Sequence, residues 1–492
     1  MKEKFKQLTT INKIHLLVIV LGILFSGASI FHSNLWFDES YSVGMAAHNW
    51  KEIWNIGGHD VHPVLYYWLL SFVGLISGES IIAYRVFSLI CVSLTGFLGF
   101  THIRKDFGNK VGILFSFFIF FIPATALFTG EIRMYSLALL LVTLCAIYGY
   151  RLYKGDTSWK NWIFFELTSL ASLYTHYYGL MAVGLINVIM LFAFIKKHRS
   201  ESIKRIILFG VLQFAIYVPW LIYFTSQLKQ ISTGFWIQFT FPDTIYEIAC
   251  FQFRGSLTIN YWLIGIVLCL YLYVIVKMVL LKIKKTEILP AVVSLGLYIL
   301  VIIAAAVVKE VLHTSILLDR YFYVVTGLYV FGLSYILAKE RKYTVIACMC
   351  IITLALSIIS NITVIRNNYA SNNGEQIKYI KENIQDEDSI VYTDAMSGSV
   401  IGIYFPKNQQ YFFNEEDWGV EEAYKAFGDN YHTEVTDDFI KNLSGRIWII
   451  DGSNNYCYNT YFNNDEYNII SQKEYTTTYH DLKYLITLVE KK

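Results

Sequence analysis

Long apolar stretches recur along this chain up to about residue 365. Eleven of them contain roughly 15 to 23 residues, and about 20 residues of α-helix cross the hydrocarbon of a bilayer. We therefore predict an α-helical polytopic membrane protein with eleven spans, at residues 14–33, 81–103, 111–128, 135–152, 161–175, 177–195, 205–224, 261–281, 289–308, 320–338 and 344–365. With 55% hydrophobic residues, the chain is too apolar for one soluble core.

The Lys and Arg residues of the short loops predict the orientation of these spans, because such residues accumulate on the cytoplasmic side. With a cytoplasmic N-terminus, the cytoplasmic segments hold 22 Lys and Arg, whereas the opposite face from residue 34 to 320 holds seven. Eleven crossings then place the residues from about 366 outside the cytoplasm. The apolar run 62–77 is excluded from the spans, since counting it would reverse every later loop. Its Tyr66, Tyr67 and Trp68 suit a helix along the outer interface.

The C-terminal residues have a different character. Residues 366–492 carry 21 Asp and Glu against 11 Lys and Arg, and they lack long apolar runs. The short stretch Ile447–Ile450 is continuously apolar, as buried parallel strands are. We predict a soluble, extracytoplasmic α/β domain here and a membrane domain at 1–365, whose first outer loop is 34–80. An acidic domain of this kind also argues against nucleic acid as a partner.

Three residues end strand-like runs in this predicted domain, where the sites of α/β proteins tend to lie. They are Asp394, Asp451 and Gly452. A role in turns is the simpler interpretation. The domain is expected to recognise an acceptor, to cover an active cavity or only to stabilise the fold, and the sequence does not choose among these.

Acidic and imidazole side chains gather in the first outer loop. Asp38 and Glu39 directly follow the first span among aromatic residues, where the alternative is an ordinary solvated pair of carboxylates. His59, Asp60 and His62 follow. Two imidazoles and a carboxylate can position a substrate, bind a metal ion or form a turn, and their spacing leaves these possibilities open.

Further ionisable residues lie beside later spans. Glu131, Arg133 and Tyr135 occupy the short connection before the fourth span, where Glu131 and Tyr135 are expected on one helical face. The alternative is a helix-end ion pair or an Arg that reaches the interface. His176 joins spans five and six as a ligand of substrate or as an interfacial residue. Arg320 begins span ten, and its guanidinium suits a phosphate oxygen.

All these clusters fall on the extracytoplasmic face, although loop charge alone fixed the orientation. Arg85, in span two, is expected to contact a phosphate or to pair with an acidic neighbour. Ionisable residues are costly in a membrane, so this concentration predicts a functional site. Transfer of a sugar from a polyprenyl-phosphate lipid fits it, because the reaction needs a general base for the acceptor hydroxyl and cations for the leaving phosphate. The alternative is a lipid or polysaccharide transporter or flippase, or a polymer ligase of similar architecture.

Four motifs resemble those of glycosyltransferase family 39, which includes the protein mannosyltransferases and aminoarabinose transferases. They are Phe37-Asp38-Glu39, His59-Asp60-Val61-His62-Pro63-Val64-Leu65-Tyr66-Tyr67, Glu131-Ile132-Arg133-Met134-Tyr135 and Thr175-His176-Tyr177. The resemblance covers about residues 10 to 340 and is strongest in the first 180. The family often has a second proline where this chain has Val64.

The resemblance implies a GT-C fold, a lipid-phosphate donor and hexosyl or pentosyl transfer in a bacterial cell membrane. It places the catalytic base at Asp38, with Glu39 in support. The remaining candidates are expected to bind substrate: His59, Asp60, His62, Tyr66, Arg85, Glu131, Arg133, Tyr135, His176 and Arg320. The expected acceptor is a glycan, lipid or protein of the cell envelope. A divalent metal is a possible cofactor, and the dependence on a metal stays open.

Overall fold

The computed structural model describes residues 9–233, 236–280, 285–393, 395–413, 421–428, 430–433, 435–452 and 455–492. The chain forms two compact units. The first contains the residues up to Ile30 together with Arg85–Val364. The second contains Phe31–Tyr84 together with Ile365–Lys492. The whole of the predicted first outer loop, 34–80, therefore folds with the C-terminal residues.

Helices long and apolar enough to cross a membrane make up most of the first unit, and the described residues contain nine of them. They are Thr10–Gly27, Ile81–Phe107, Tyr135–Lys154, Tyr177–Lys196, Ser200–Ser232, Tyr261–Val279, Ile288–Leu312, Asp319–Ala338 and Tyr343–Asn368. Each of them lies on one of the predicted spans. The count of eleven is not confirmed.

The two other predicted spans, 111–128 and 161–175, are shorter helices. The first is Asn109–Phe121, which ends before Pro123. The residue preceding a proline is driven out of the helical region, and Ile122 is extended, with φ −72° and ψ 131°. Thirteen residues of helix span about 20 Å, less than the roughly 30 Å of hydrocarbon. The second is Trp159–Leu173, with 15 residues.

The long helices differ in how far they are buried. Asp319–Ala338, which begins with a 3₁₀ turn over Asp319–Val325, is almost wholly buried among its neighbours. By contrast, Ser200–Ser232 exposes most of its length, including Leu208 and Ile222. Exposed apolar side chains on such a helix are expected to face lipid. The first unit therefore has a central helix and a lipid-facing periphery.

Three helices occupy the N-terminal part of the second unit: Phe37–Ala47, Trp50–Gly58 and Leu65–Ser77. The second begins with a capping box between Asn49 and Glu52, each side chain accepting from the other's backbone N–H. The third is the segment predicted to lie along the interface. At 13 residues it is too short to span a bilayer, and it exposes Leu75 and Ile76.

A six-stranded sheet forms the core of the C-terminal residues, within the part that the structure describes. Its strands are β1 (Ser389–Tyr392), β2 (Gln409–Phe412), β3 (Tyr431–His432), β4 (Arg446–Asp451), β5 (Tyr467–Thr476) and β6 (Lys483–Lys491). The order is β3-β2-β1-β4-β6-β5; the first four are parallel, and β6 runs antiparallel to both β4 and β5. Helices Glu375–Asn383, Ala395–Gly402 and Asp437–Lys441 accompany the sheet.

Strand β4 lies in the interior of the sheet, between β1 and β6. Ile447, Trp448, Ile449 and Ile450 of β4 are completely buried, as expected for a strand covered on both faces. The predicted α/β domain is therefore confirmed. Asp451 ends β4 and accepts hydrogen bonds from the Thr393 hydroxyl and from the backbone N–H groups of Cys457 and Tyr458. Asp394 lies outside the described residues.

Candidate active site

Asp38 and Glu39 lie in the first turn of the helix Phe37–Ala47. Carboxylates are favourable there because the partial positive charge of a helix N-terminus attracts them. Their surroundings differ. Asp38 is partly exposed, whereas Glu39 is completely buried. Of the two adjacent carboxylates, Asp38 is therefore the one accessible to a substrate.

The buried carboxylate of Glu39 is held by the C-terminal part of the same unit. The hydroxyl of Tyr479, in the turn between β5 and β6, donates a hydrogen bond to Glu39 Oε2 at 2.7 Å. A buried carboxylate needs such partners to offset the loss of its hydration. No feature of the sequence pattern had singled out Tyr479.

The segment with His59, Asp60 and His62 forms a turn after the helix Trp50–Gly58. His59 is the C-cap residue, and its Nδ1 donates to the carbonyl of Asn55 at 2.9 Å. His62 Nδ1 lies 3.2 Å from Asp60 Oδ2, so the imidazole N–H donates to the carboxylate. This bond places the proton of a neutral His62 ring on Nδ1 and the lone pair on Nε2.

Two further observations concern this turn. Tyr66, at the start of the next helix, is buried with its ring 5.8 Å from that of Tyr67. Among the residues that the structure describes, no group of three or more His, Cys, Asp or Glu side chains is arranged to hold a metal ion. The hydrogen bonds of this turn are compatible with the positioning of a substrate and with a structural role.

In the first unit, the connection that precedes the helix Tyr135–Lys154 is held by side chains of a neighbouring helix. Arg85 is 1% exposed, and its Nη1 donates to the carbonyl of Gly130 at 2.6 Å. The hydroxyl of Ser88 donates to the carbonyl of Glu131, also at 2.6 Å. Arg85 therefore fixes the backbone of this connection.

The conformation of the connection differs from the sequence prediction. Residues 129–134 are not helical, and the helix begins at Tyr135. The prediction that Glu131 and Tyr135 share one helical face is therefore wrong. Helix propensity alone did not reveal this break in the helix. The break places Gly130 against Ile30, and a Cβ atom at Gly130 would lie 2.8 Å from the Ile30 side chain.

An aromatic cluster forms where this connection meets two others. The ring of Tyr135 lies 5.6 Å from His176 and 6.3 Å from Tyr321, and the rings of His176 and Tyr321 are 5.2 Å apart. His176 is also the N-cap of the helix Tyr177–Lys196, because its Nδ1 accepts from the backbone N–H of Tyr178 at 3.1 Å. The proton of a neutral His176 ring therefore lies on Nε2, which makes Nε2 a donor.

Charged groups surround the Tyr135 side chain of this cluster. Arg320, Arg133 and Glu131 are all close enough to interact electrostatically with Tyr135. Arg320 also lies over the ring of Trp236, 5.5 Å from its centre. The structure thus brings together five predicted residues of the first unit: Glu131, Arg133, Tyr135, His176 and Arg320. Asp38, Glu39, His59, Asp60, His62 and Tyr66 belong to the second unit.

A third arginine, Arg254, accompanies this cluster through Asp319, the neighbour of Arg320 in the chain. Arg254 donates to Asp319 Oδ2 at 2.9 Å and lies 3.7 Å from Glu247 Oε1. Burial raises the pKa of Glu247, and the charge of Asp319 raises it further, whereas Arg254 lowers it. Arg254 was not among the residues predicted from the sequence. It is the single arginine between Arg205 and Arg320, and this isolated position in the chain could have marked it as a candidate site residue.

Residues 61–223 match the family model described as dolichyl-phosphate-mannose-protein mannosyltransferase. The matched range contains the motifs around Glu131 and His176, and it begins after Asp38 and Glu39. Among curated proteins, no sequence matches this chain.

Two crystal structures of ArnT from Cupriavidus metallidurans match almost the whole chain. The apo structure is 12% identical, covers 96% of this chain and 97% of its own, and superposes with a TM-score of 0.51. The structure bound to undecaprenyl phosphate is 13% identical with the same coverage, and its TM-score is 0.52. This chain has the fold of ArnT. The predicted GT-C-like architecture and the resemblance to glycosyltransferase family 39 are therefore confirmed, and the chain is a multi-pass membrane protein.

Proposed function

We propose that this protein is a membrane glycosyltransferase that moves a sugar from a polyprenyl-phosphate donor to an acceptor at the extracytoplasmic face. The observation that carries this proposal is the match to ArnT over 96% of the chain, since the matching structure is described as bound to undecaprenyl phosphate. The mannosyltransferase family model supports the same class of reaction. The sugar is a hexose or a pentose, and the acceptor is a glycan, lipid or protein of the cell envelope.

Asp38 is the proposed general base. Its carboxylate takes the proton of the acceptor hydroxyl, whose oxygen attacks the anomeric carbon of the donor. The bond from that carbon to the phosphate oxygen breaks, and the polyprenyl phosphate leaves with the bonding electrons. Attack opposite to the leaving group inverts the anomeric centre. The different burial of Asp38 and Glu39 supports this assignment, because only the partly exposed group can meet an acceptor.

The cluster in the first unit is proposed to bind the donor. The guanidinium of Arg320 can meet two phosphate oxygens at once and stabilise the charge that develops on the leaving group. The Tyr135 hydroxyl is buried and has no hydrogen-bond partner among the described residues, which leaves a donor available for a sugar or phosphate oxygen. His176 Nε2 supplies a further donor, and Glu131 and Arg133 complete the polar surroundings.

His59, Asp60, His62 and Tyr66 are proposed to shape the acceptor or sugar pocket in the second unit. The hydrogen bond between His62 and Asp60 orients the imidazole, so that Nε2 can accept a proton from a sugar hydroxyl. Arg85 contributes by holding the backbone carbonyl of Gly130 in place.

Substitution of Asp38 tests the function. In proteoliposomes supplied with polyprenyl-phosphate-linked mannose, glucose and aminoarabinose, the wild-type chain should release polyprenyl phosphate from at least one donor. Asp38→Asn should lower that rate about 100-fold or more, since it removes the base while conserving shape. Asp465→Asn, at an exposed position, is the matched control. Full activity of folded Asp38→Asn would contradict the proposed mechanism.

The transporter alternative makes a different prediction for the same proteoliposomes. A lipid transporter would move labelled polyprenyl-phosphate sugar between leaflets without cleaving it, and Asp38→Asn would leave that movement unchanged. Leaflet exchange without release of polyprenyl phosphate from any donor would therefore replace the glycosyltransferase proposal.

A further inference from the structure

The turn between β5 and β6 contacts the start of the helix Phe37–Ala47 at two successive points. Tyr479 bonds Glu39 through its hydroxyl, as described above. The ring of His480 is stacked on that of Trp36, with centres 4.4 Å apart and planes 6° from parallel. Trp36 is the N-cap residue of that helix. The turn therefore holds both the entry to the helix and its first buried carboxylate.

The turn is held by hydrogen bonds within it and by a hydrogen bond to Asn373. His480 and Asp481 adopt left-handed backbone conformations, with φ values of 58° and 52°. The hydroxyl of Thr477 donates to the carbonyl of Tyr479 at 3.0 Å. The backbone N–H of Tyr479 donates to Asn373 Oδ1 at 2.9 Å. Tyr479 therefore reaches Glu39 from a fixed support, not from a freely rotating loop end.

Fixing Glu39 also fixes the direction of Asp38. Successive residues on an α-helix are separated by about 100° around its axis. Glu39 faces inward with no exposed surface, so its bond to Tyr479 sets the rotation of the first turn. Asp38 must then project from the accessible side. Loss of that bond removes one restraint on the first turn, and N-terminal helical turns are the least restrained.

We propose that Tyr479 is a positioning residue for the transfer reaction, which acts through Glu39 on the orientation of Asp38. The inference rests on the proposed function of Asp38, and it gives the C-terminal sheet a defined part in that function. Tyr479 has no contact with substrate in this role. Its hydroxyl donates to the carboxylate of Glu39 and so restrains the first turn of the helix that carries Asp38.

The test compares two hydroxyl deletions in the full-length protein. Tyr479→Phe removes the hydrogen bond to Glu39. Tyr467→Phe, in β5, removes a hydrogen bond of 2.9 Å to the carbonyl of Leu443 and serves as the matched control. Both variants lose one buried hydroxyl from the same hairpin. A purely structural role would therefore give both variants the same behaviour.

Hydrogen exchange of the backbone amides of residues 37–41 can be measured without a sugar donor, so it tests the positioning role directly. We expect faster exchange in Tyr479→Phe and unchanged exchange in Tyr467→Phe. With whichever of the polyprenyl-phosphate-linked mannose, glucose and aminoarabinose donors is cleaved, kcat of Tyr479→Phe should fall about tenfold while KM stays within about twofold.

The outcomes separate this inference from the proposed function. If Asp38→Asn is inactive but Tyr479→Phe matches Tyr467→Phe in exchange and in kcat, only the positioning role is overturned. If Asp38→Asn keeps full activity, the proposed function fails, whatever the exchange shows. Faster exchange together with a lower kcat at nearly constant KM, in Tyr479→Phe alone, would establish the inference.

Discussion

The two groups of candidate residues are supported in different ways. In the first unit, the cluster around Tyr135 is held by neighbouring helices, for example by the bond from Arg85 to the carbonyl of Gly130. In the second unit, the carboxylate of Glu39 depends on Tyr479, 440 positions later in the chain. The comparison indicates that helix packing in the membrane fixes one group, whereas a folded sheet domain fixes the other. Substitutions in the two units should therefore change different properties of the enzyme.

Among the substitutions that distinguish the two groups, the largest effect on kcat is expected at Arg320. If its guanidinium stabilises the leaving phosphate, Arg320→Met should lower kcat about 100-fold, and Arg320→Lys should recover part of the loss. Release of polyprenyl phosphate in proteoliposomes measures both. Arg341→Met, at an exposed position, is the control. Equal rates for Arg320→Met and this control would remove Arg320 from the proposed donor site.

A smaller effect on rate, with a clear effect on stability, is expected at Arg85. Arg85→Met leaves the partly buried carbonyl of Gly130 without its charged donor and should cost about 2 kcal/mol of folding free energy. The connection at residues 129–134 should then move, and kcat should fall about tenfold. Thermal unfolding in detergent and the transfer assay measure the two effects. A large rise in KM at unchanged stability would instead indicate that Arg85 binds the donor directly.

Tyr135 should separate activity from stability. Tyr135→Phe keeps the ring contacts with His176 and Tyr321 but removes a buried hydroxyl that has no partner among the described residues. Since an unsatisfied buried hydroxyl is costly, the midpoint of thermal unfolding should stay constant or rise. The transfer rate should fall about tenfold if the hydroxyl binds a sugar or phosphate oxygen. A lower midpoint with an unchanged rate would show that the hydroxyl serves only the fold.

The smallest expected effect lies in the sheet domain and depends on pH. Burial raises the pKa of Asp451, although bonds from Thr393 and two backbone amides oppose that shift. The folded state therefore holds its proton more tightly than the unfolded state. Its contribution to stability is present at low pH and is lost as pH rises from the ordinary pKa towards the raised one.

Asp451→Asn removes this titration. The unfolding temperature of the wild type, relative to that of the variant, should therefore fall as the pH rises from 4 to 7. The expected fall is less than about 4 °C. Calorimetry of both proteins at several pH values measures it. A constant difference across this range would mean that Asp451 has the same pKa in both states.

Much of the fold could be predicted from the sequence because membranes impose long apolar helices. The predicted span 111–128 was continuous in hydropathy, but the preference of Ile122 for extended backbone before Pro123 divides it. The buried strand at Ile447–Ile450 was predictable from its composition, since both of its faces are covered.

The candidate site was less predictable, because hydrogen-bond partners depend on packing. The sequence shows that Arg85 lies in an apolar helix, but not that its guanidinium binds a backbone carbonyl. Nor does any local pattern connect Glu39 with Tyr479, whose proximity depends on the whole second unit. The cluster of Glu131, Tyr135, His176 and Arg320 was predictable in part, since all four flank spans on the same predicted face.

The bond between Glu39 and Tyr479 has a consequence for biosynthesis. A ribosome adds about 5 to 20 residues per second, so the 440 positions between the two residues take roughly 20 to 90 s to translate. During that interval the residues of the helix that carries Asp38 have already been synthesised, but Tyr479, which donates the hydrogen bond to that helix, has not. A nascent chain therefore gains its ordered carboxylate pair only at the end of synthesis, after the membrane helices are complete.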